Sequence, residues 1–309
     1  MGEAQENGRE NETGRMGGKD VSGGMGRNGG KFGGSADFGD GGNVGDGESG
    51  GDGGNAESGE SRGDGESGGN GESRGDGGSG GKGGDPVVRV SGTYFPVTTL
   101  GPGRRLGIWF QGCPLACPGC MSRHTWDPEG GRRTTVSRLL GAWRRALAAG
   151  AAGLTVSGGE PLAQPEALER LLSGAAAIGA ELAPERRPDI LLYTGHTEAE
   201  LGRRPPWLRA VGHADALITG RYRAAAPTPL VWRGSANQRL LPRTALGRER
   251  YGPHLARPAE GPRLQVAESP GGAGVLLYGV PAPGELQELA ELLARSGTRL
   301  HHRSWDQPG

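Results

Sequence analysis

Cysteine is nearly absent from this chain of 309 residues, and what there is stands together: Cys113, Cys117 and Cys120. An odd number leaves one thiol over, and loops this tight rarely close a disulfide, so a disulfide framework does not account for them. Aromatic residues make up 5% of the chain, and no window approaches the apolar length of a membrane span. The start, MGEAQENGRE, has no basic stretch followed by an apolar one, and Glu6 stands where a myristoylation signal takes Ser or Thr. Neither export nor lipid anchoring is expected. The cytoplasm is the expected compartment, and there clustered thiols bind metal or carry redox chemistry.

Lysine is missing from the body of the chain, where Lys19, Lys31 and Lys82 have no successor. Large apolar side chains are almost missing before residue 86. Residues 1–85 hold 34 Gly, 17 Asp or Glu and 8 Lys or Arg, a composition that cannot bury enough surface to offset its conformational entropy. A disordered tail is predicted there. GESRGDG occurs at 59–65 and again at 71–77, as low-complexity drift, and with no export expected its RGD is not expected to carry adhesion meaning. The tail carries about −9 and the remainder, with 18 acids against 27 arginines, about +9. An arginine-only body follows most simply from a GC-rich genome. No aromatic–basic interleaving accompanies it, so nucleic acid is not an expected partner. Residues 86–309 suffice for one domain with a core.

Within that body, RLGIWFQG (105–112), GLTVSGGEP (153–161), DILLYTG (189–195) and ADALITG (214–220) read as buried strands. TTVSRLLGAWRRALAAG predicts a helix capped by Thr135, with Val136, Leu139, Leu140, Trp143 and Leu147 at helical spacing. QPEALERLLSGAAAIG predicts a second, with Pro165 at its start, and GELQELAELLARSG a closing helix stopped by Gly297. PRLQVAE and GVLLYGVP read as further strands; the stretch 222–262, rich in Arg, Pro and Gly, has no readable period. Strands alternating with helices predict an α/β fold with a mainly parallel sheet. Four strands run into GC, SGGE, YTG and ITG. In parallel α/β folds ligands sit at the carboxyl ends of strands, and glycine there lets backbone approach a ligand.

The cysteine spacing is C-x3-C-x2-C. Three thiolates so close converge on one metal centre. A tetrahedral zinc completed by His124 and an iron–sulfur cube with one iron left open are both compatible with the spacing. Pro114 and Pro118 keep the loop out of helix.

GPGRRLGIWFQGCPLACPGCMSRHTWD (101–127), followed by VSGGEPL, LLYTGHTEAEL, DALITGRY and WRGSANQRL in that order, closely resembles the glycyl-radical activases of the radical S-adenosylmethionine superfamily, the anaerobic ribonucleotide reductase activating group among them. The resemblance spans roughly residues 90–282. It implies a partial (β/α) barrel, with Cys113, Cys117 and Cys120 on a 4Fe–4S cluster whose open iron binds S-adenosylmethionine. Gly158, Gly159 and Glu160 would receive the methionine amino group, and Gly119 and Met121 would pass beside the adenine. Thr194 and Tyr193 are candidates for ribose or methionine contacts, Arg221 for the carboxylate. Asn237, with Ser235 and Gln238, is a candidate for ligand hydrogen bonds. Trp126 would pack over the cluster. Reductive cleavage would yield a 5′-deoxyadenosyl radical that abstracts hydrogen from a glycine of a partner enzyme, with flavodoxin or ferredoxin as electron donor. The alternatives are a peptide or small-molecule target, or a non-catalytic Cys3His zinc module. About 224 ordered residues also predict a barrel left open on one side, covered only by the partner.

Replacing any one of Cys113, Cys117 or Cys120 by Ala is expected to abolish the metal centre, measured as loss of bound iron and of brown colour in anaerobically purified protein. His124→Ala should leave iron in place. A truncation beginning at Asp85 should retain the same iron content.

Overall fold

In the computed structural model of the chain, residues 84–269, 274–298, 300, 303 and 305 are described. Residues 1–83 of the predicted disordered tail lie outside them; its last two residues, Gly84 and Asp85, are described.

Seven strands form one sheet. In chain order they are β1 (Val87–Val97), β2 (Arg105–Phe110), β3 (Arg132–Thr135), β4 (Gly153–Gly158), β5 (Asp189–Thr194), β6 (Ala216–Thr219) and β7 (Arg239–Pro242), arranged β3-β1-β2-β4-β5-β6-β7. The middle four, β2, β4, β5 and β6, are the strands read from the sequence, and they are parallel. The flanking pairs are antiparallel. The architecture is therefore α/β with a parallel-rich sheet. Its order is open-ended, and no closed barrel occurs among the described residues. β1 and β3 escaped the sequence reading because VVRVSGTYFPV mixes polar and apolar residues without a clean period, and RRTT has no apolar residue at all.

Register explains why the glycine-punctuated ends form one edge. Phe110 lies opposite Gly158, Val156 opposite Leu192, and Thr194 opposite Thr219, so the four parallel strands end level. The loops beginning at Gly112, Gly159, Gly195 and Gly220 leave the sheet side by side.

One sheet face is covered by α1 (Val136–Ala148) and α2 (Pro165–Leu182); two short helices, α3 (Glu198–Gly202) and α4 (Pro205–Ala210), follow β5 in the chain. Leu139 and Trp143 of α1 and Leu168, Leu171 and Leu172 of α2 pack with Ile108, Phe110, Leu154, Val156 and Leu192 in the main core. The Trp143 indole N–H donates to the Ala175 carbonyl at 3.1 Å, which locks the two helices together. Thr135 occupies the cap position of α1 but makes no capping bond. Asp85 does this work instead: its carboxylate accepts from the Ser137 N–H at 3.1 Å and from the Ser137 hydroxyl at 2.5 Å.

The opposite sheet face divides along the strands. Its amino-terminal half is filled by a buried polar network. Arg105 and Asp189, each 0% exposed, pair at 2.8 Å. Arg105 also donates to the Thr155 hydroxyl at 2.6 Å and the Leu154 carbonyl at 2.7 Å, so one side chain ties β2, β4 and β5. α5 (Ala245–Tyr251), from the unreadable stretch, adds Arg250, 2.6 Å from Asp189, and the Tyr251 hydroxyl, which donates to the same carboxylate.

The carboxyl-terminal half of that face is not packed solid. Strands β8 (Leu264–Glu268) and β9 (Val275–Gly279) form a separate antiparallel hairpin, followed by α6 (Glu285–Arg295). Gln265 bridges to β1, accepting from Thr98 N–H at 2.9 Å and donating to the Pro96 carbonyl at 2.8 Å. The Tyr278 ring stacks on Tyr94 at 4.5 Å and lies 4.7 Å from Trp109. This corrects the expectation of a side covered only by a partner: the chain's own hairpin and the turn after it stand over part of it.

Burial alone would raise the Asp189 carboxyl, but the Arg105 charge and the bonds from Arg105, Tyr251 and Arg250 hold it below its ordinary 3.8. Its folded pKa is thus depressed, and the stability it contributes is present above that ordinary value and lost as pH falls below it. Asp189→Asn is expected to cost about 3 kcal/mol by leaving Arg105 underpaired in the core. Urea unfolding measures the loss. Below roughly pH 4 the gap between parent and variant should close, as the parent loses its own carboxylate.

Candidate metal centre and cofactor cavity

The Cys loop leaves β2 and returns to it. Gly112 N–H donates to the Thr125 carbonyl at 2.8 Å and Cys113 N–H to the Trp126 carbonyl at 3.0 Å, so residues 113–124 form a closed excursion. Gln111, 2% exposed, pins its neck by donating to the His124 carbonyl at 3.0 Å and the Asp127 carbonyl at 2.8 Å. Sequence reading missed Gln111, although an amide ending the apolar run IWF was the available signal. Within the loop, Ala116 (φ 41°) and Gly119 (φ 77°) adopt left-handed conformations that coil the chain around the thiols.

All three cysteines are free and half-buried. Burial is the main reason the Cys113 thiol stands above its ordinary value; N–H groups of Leu115 and Ala116 oppose it, while Glu160 and Cys120 add to the rise. Burial also raises Cys117, against the Tyr222 N–H and the charge of Arg221. Glu160 and Cys120 thus act on both Cys113 and Cys117, and Arg221 acts on Cys117. Main-chain N–H groups directed at sulfur suit bound thiolates. Among the described residues no three His, Cys, Asp or Glu side chains are gathered tightly enough for one metal ion.

The Gly158–Glu160 turn is fitted to that loop by backbone. Gly159 N–H donates to the Phe110 carbonyl at 2.8 Å and Glu160 N–H to the Gly112 carbonyl at 2.9 Å. A Cβ on Gly158 (φ 110°) would lie 2.3 Å from Phe110 backbone, and one on Gly159 2.3 Å from the Gly112 carbonyl oxygen. Glycine is required at both for this approach. The Glu160 side chain turns inward and is 1% exposed. It accepts from Leu162 N–H at 3.0 Å, the Thr194 hydroxyl at 2.9 Å and Gly195 N–H at 2.8 Å. Glu160 and Thr194 are thus bonded to each other, joining the ends of β4 and β5. Burial pushes Glu160 up to about 7, against those donors and the charge of Arg221.

Arg221 pairs with Glu200 at 3.0 Å and remains 45% exposed. The GSANQ segment fastens the loop that carries it. Gln238 donates to the Gly220 carbonyl at 3.0 Å, Asn237 to the Arg221 carbonyl at 2.8 Å, and the Ser235 hydroxyl accepts from Arg223 N–H at 3.1 Å. This holds the Tyr222 N–H at Cys117. Asn237 Oδ1 and Trp126 Nε1 are buried without a hydrogen-bond partner. Tyr193 donates its hydroxyl to the Trp232 carbonyl at 3.1 Å, leaving only its ring toward the cavity.

That cavity, about 400 Å³, opens beside the loop and is lined by Gly119, Cys120, Met121, Ser157, Tyr193 and Tyr222, with the turn after β9 on its far side. Its size is that of a ligand site. Thiol loop, glycine turn and cavity thus meet at the carboxyl edge of the parallel strands.

Residues 99–241 match the 4Fe-4S single cluster domain family, so the class is that of proteins built around one such cluster. Relatives described as anaerobic ribonucleoside-triphosphate reductase-activating proteins include one from Enterobacteria phage T4, 33% identical over 144 residues, covering 47% of this chain and 87% of the relative. One from Vibrio cholerae is 34% identical over 149 residues, covering 47% and 92%. One from Escherichia coli K12 is 31% identical over 153 residues, covering 47% and 93%. The chain belongs to the family of anaerobic ribonucleoside-triphosphate reductase-activating proteins.

Glu160→Gln sets an amide N–H against the Gly195 N–H and is expected to cost about 1–3 kcal/mol. The folded pKa of Glu160, about 7, lies above its ordinary 4.5, so the stability from its neutral form is full below 4.5 and lost as pH rises through 7. Denaturation across that range should show the parent losing stability relative to the Gln variant. Gly159→Ala should displace the Cys loop and lower iron content.

Proposed function

We propose that this chain is a radical S-adenosylmethionine oxidoreductase that activates an anaerobic ribonucleoside-triphosphate reductase by abstracting hydrogen from one of its glycines. The observation that carries the reading is the meeting of three free thiols, the Gly-Gly-Glu strand end and a ligand-sized cavity at one edge of the sheet. The relatives' names supply the target.

Cys113, Cys117 and Cys120 would hold the 4Fe–4S cluster. When bound and reduced, it would supply the electron for reductive cleavage of S-adenosylmethionine. The chain's own groups bind and orient. Main chain at Gly158–Glu160 receives the methionine amino group, since the Glu160 carboxylate is already taken by three donors. Arg221, whose charge reaches Cys117 and Glu160, takes the methionine carboxylate. Gly119 and Met121 line the adenine side of the cavity, and Thr194 orients Glu160 beneath it. Asn237 serves the site through Arg221, whose carbonyl accepts from its side-chain amide at 2.8 Å. Pro114, Ala116 and Pro118 are exposed, giving flavodoxin or ferredoxin an approach to the loop. Glycine suits the target because its Cα–H is reachable with no side chain in the way.

Mixing the chain anaerobically with reductant, S-adenosylmethionine and the reductase is expected to give an electron paramagnetic resonance doublet on the reductase, collapsing when its glycine is deuterated at Cα. Cofactor cleavage with no radical on the reductase would move the target to a peptide or small molecule. A colourless protein containing zinc would overturn the reading.

A further inference from the structure

Charge along this chain is laid down in blocks. Residues 37–66 carry nine acids and one base, Arg62, about −8. Residues 1–36, with five of each sign, balance, and residues 67–85, with three acids and two bases, nearly do. The opposite block follows the Cys loop. From Gly130 to Gly159 there is no acid, and five arginines fall there: Arg132, Arg133, Arg138, Arg144 and Arg145. They lie on β3 and α1.

Folding gathers three of the five at one place. Arg132 of β3 and Arg138 and Arg145 of α1 line a hollow of about 130 Å³ with Thr93 and Thr134, and among the described residues no carboxylate lines it. All three arginines are exposed. Arg145 leans back along its helix, so that a Cβ on Gly141 would stand 3.6 Å from its Nη1. Arg144 turns elsewhere, to 3.7 Å from Glu181. The hollow sits at the β3 edge of the sheet, and no residue of β3 or α1 lines the cavity beside Cys120.

The acidic block is tethered beside this hollow. Asp85 is bonded to Ser137 by its carboxylate, and the Pro86 carbonyl accepts from Val136 N–H at 3.0 Å, so the chain enters the body at the first turn of α1, next to Arg138. Val87 then pairs with Thr135 and Val90 with Arg132. Glu66 stands nineteen positions before Asp85, a stretch that can span at most about 60 Å. The thirteen residues of α1 measure about 20 Å. The whole arginine face is therefore within reach, and a tether raises the effective concentration of one charge block at the other.

We propose that residues 37–66 dock on the arginine face of β3 and α1, with carboxylates in the hollow between Arg132, Arg138 and Arg145. Opposite charge and the point of attachment select this occupant. Exposed ion pairs are individually weak and screened by salt, so the density of charge on both sides holds the segment, not any one pair. The dock closes the basic face of the chain and leaves the cavity on the other sheet face open.

The test is the rate at which phenylglyoxal labels each arginine of the full, cluster-loaded chain, mapped by mass spectrometry of its peptides. Replacing the nine acids of 37–66 by Asn and Gln is expected to speed labelling of Arg132, Arg138 and Arg145 by roughly threefold or more. Arg239, 70% exposed on β7 at the other edge of the sheet, should be labelled at one rate in both chains. In about 1 M salt, where charges are screened beyond about 3 Å, the difference should vanish. Equal rates at the three arginines in both chains at low salt would overturn the dock. An equal gain at Arg239 would mean a diffuse field and overturn it too. Protection lost on dilution would assign the face to the acidic segment of a second copy. Protection that follows inorganic phosphate in the buffer, and not the charge of 37–66, would assign the hollow to a small anion. Either result overturns the proposal.

Discussion

One buried carboxylate organises the carboxyl edge of the parallel strands. Glu160 ends β4, yet its side chain bonds to the end of β5 through Thr194 and Gly195, while its own N–H holds the Cys loop through Gly112. Three loops are thereby fixed by one residue. A carboxylate at this depth is tolerated because every donor it needs is supplied locally, two of them main-chain N–H groups that cannot swing away. The glycines before it have the complementary task. They bring backbone against backbone so closely that any side chain would push the loop off the strand.

The two ends of the sheet solve opposite problems. At the amino-terminal end, Arg105, Asp189, Arg250 and Tyr251 fill the uncovered face with a polar network, and strands are tied through charge and hydrogen bonds, with Arg250 alone reaching solvent. At the carboxyl-terminal end the same face is left hollow, with Trp109, Ser157 and Tyr193 lining about 400 Å³ instead of packing together. The rigid end lets the hollow end hold its shape with few contacts across it. A preformed cavity beside thiols fixed by main-chain bonds is what binding a reactive cofactor in one orientation demands.

The segment after residue 241 serves both ends. α5 supplies Arg250 and Tyr251 to the closed end, and the β8–β9 hairpin with its following turn walls the hollow one. The matched domain and the later residues are therefore one packed structure. The sheet's polar plug in particular cannot be completed by residues 99–241 alone.

The sequence by itself determined where the three thiols and the glycine-ended strand edge fall. Three cysteines in eight positions, and four apolar runs each stopped by glycine, are local signals, because ligand spacing and strand termination are set by neighbours in the chain. The four parallel strands, α1, α2 and α6 follow the same logic of period and punctuation. What only the tertiary structure decided were the long-range pairings. Arg105 gives no hint that it will meet Asp189 across 84 positions, and Arg250 and Tyr251 lie in a stretch with no readable period. Glu160 read as a ligand-facing residue, and folding turned it toward Thr194, because buried polar groups settle on whichever donors the fold brings near. Asp85 capping α1, Gln111 closing the Cys loop and the hairpin lying over the cavity have the same origin: each is a contact between residues far apart in sequence, which a period of two or 3.6 does not encode.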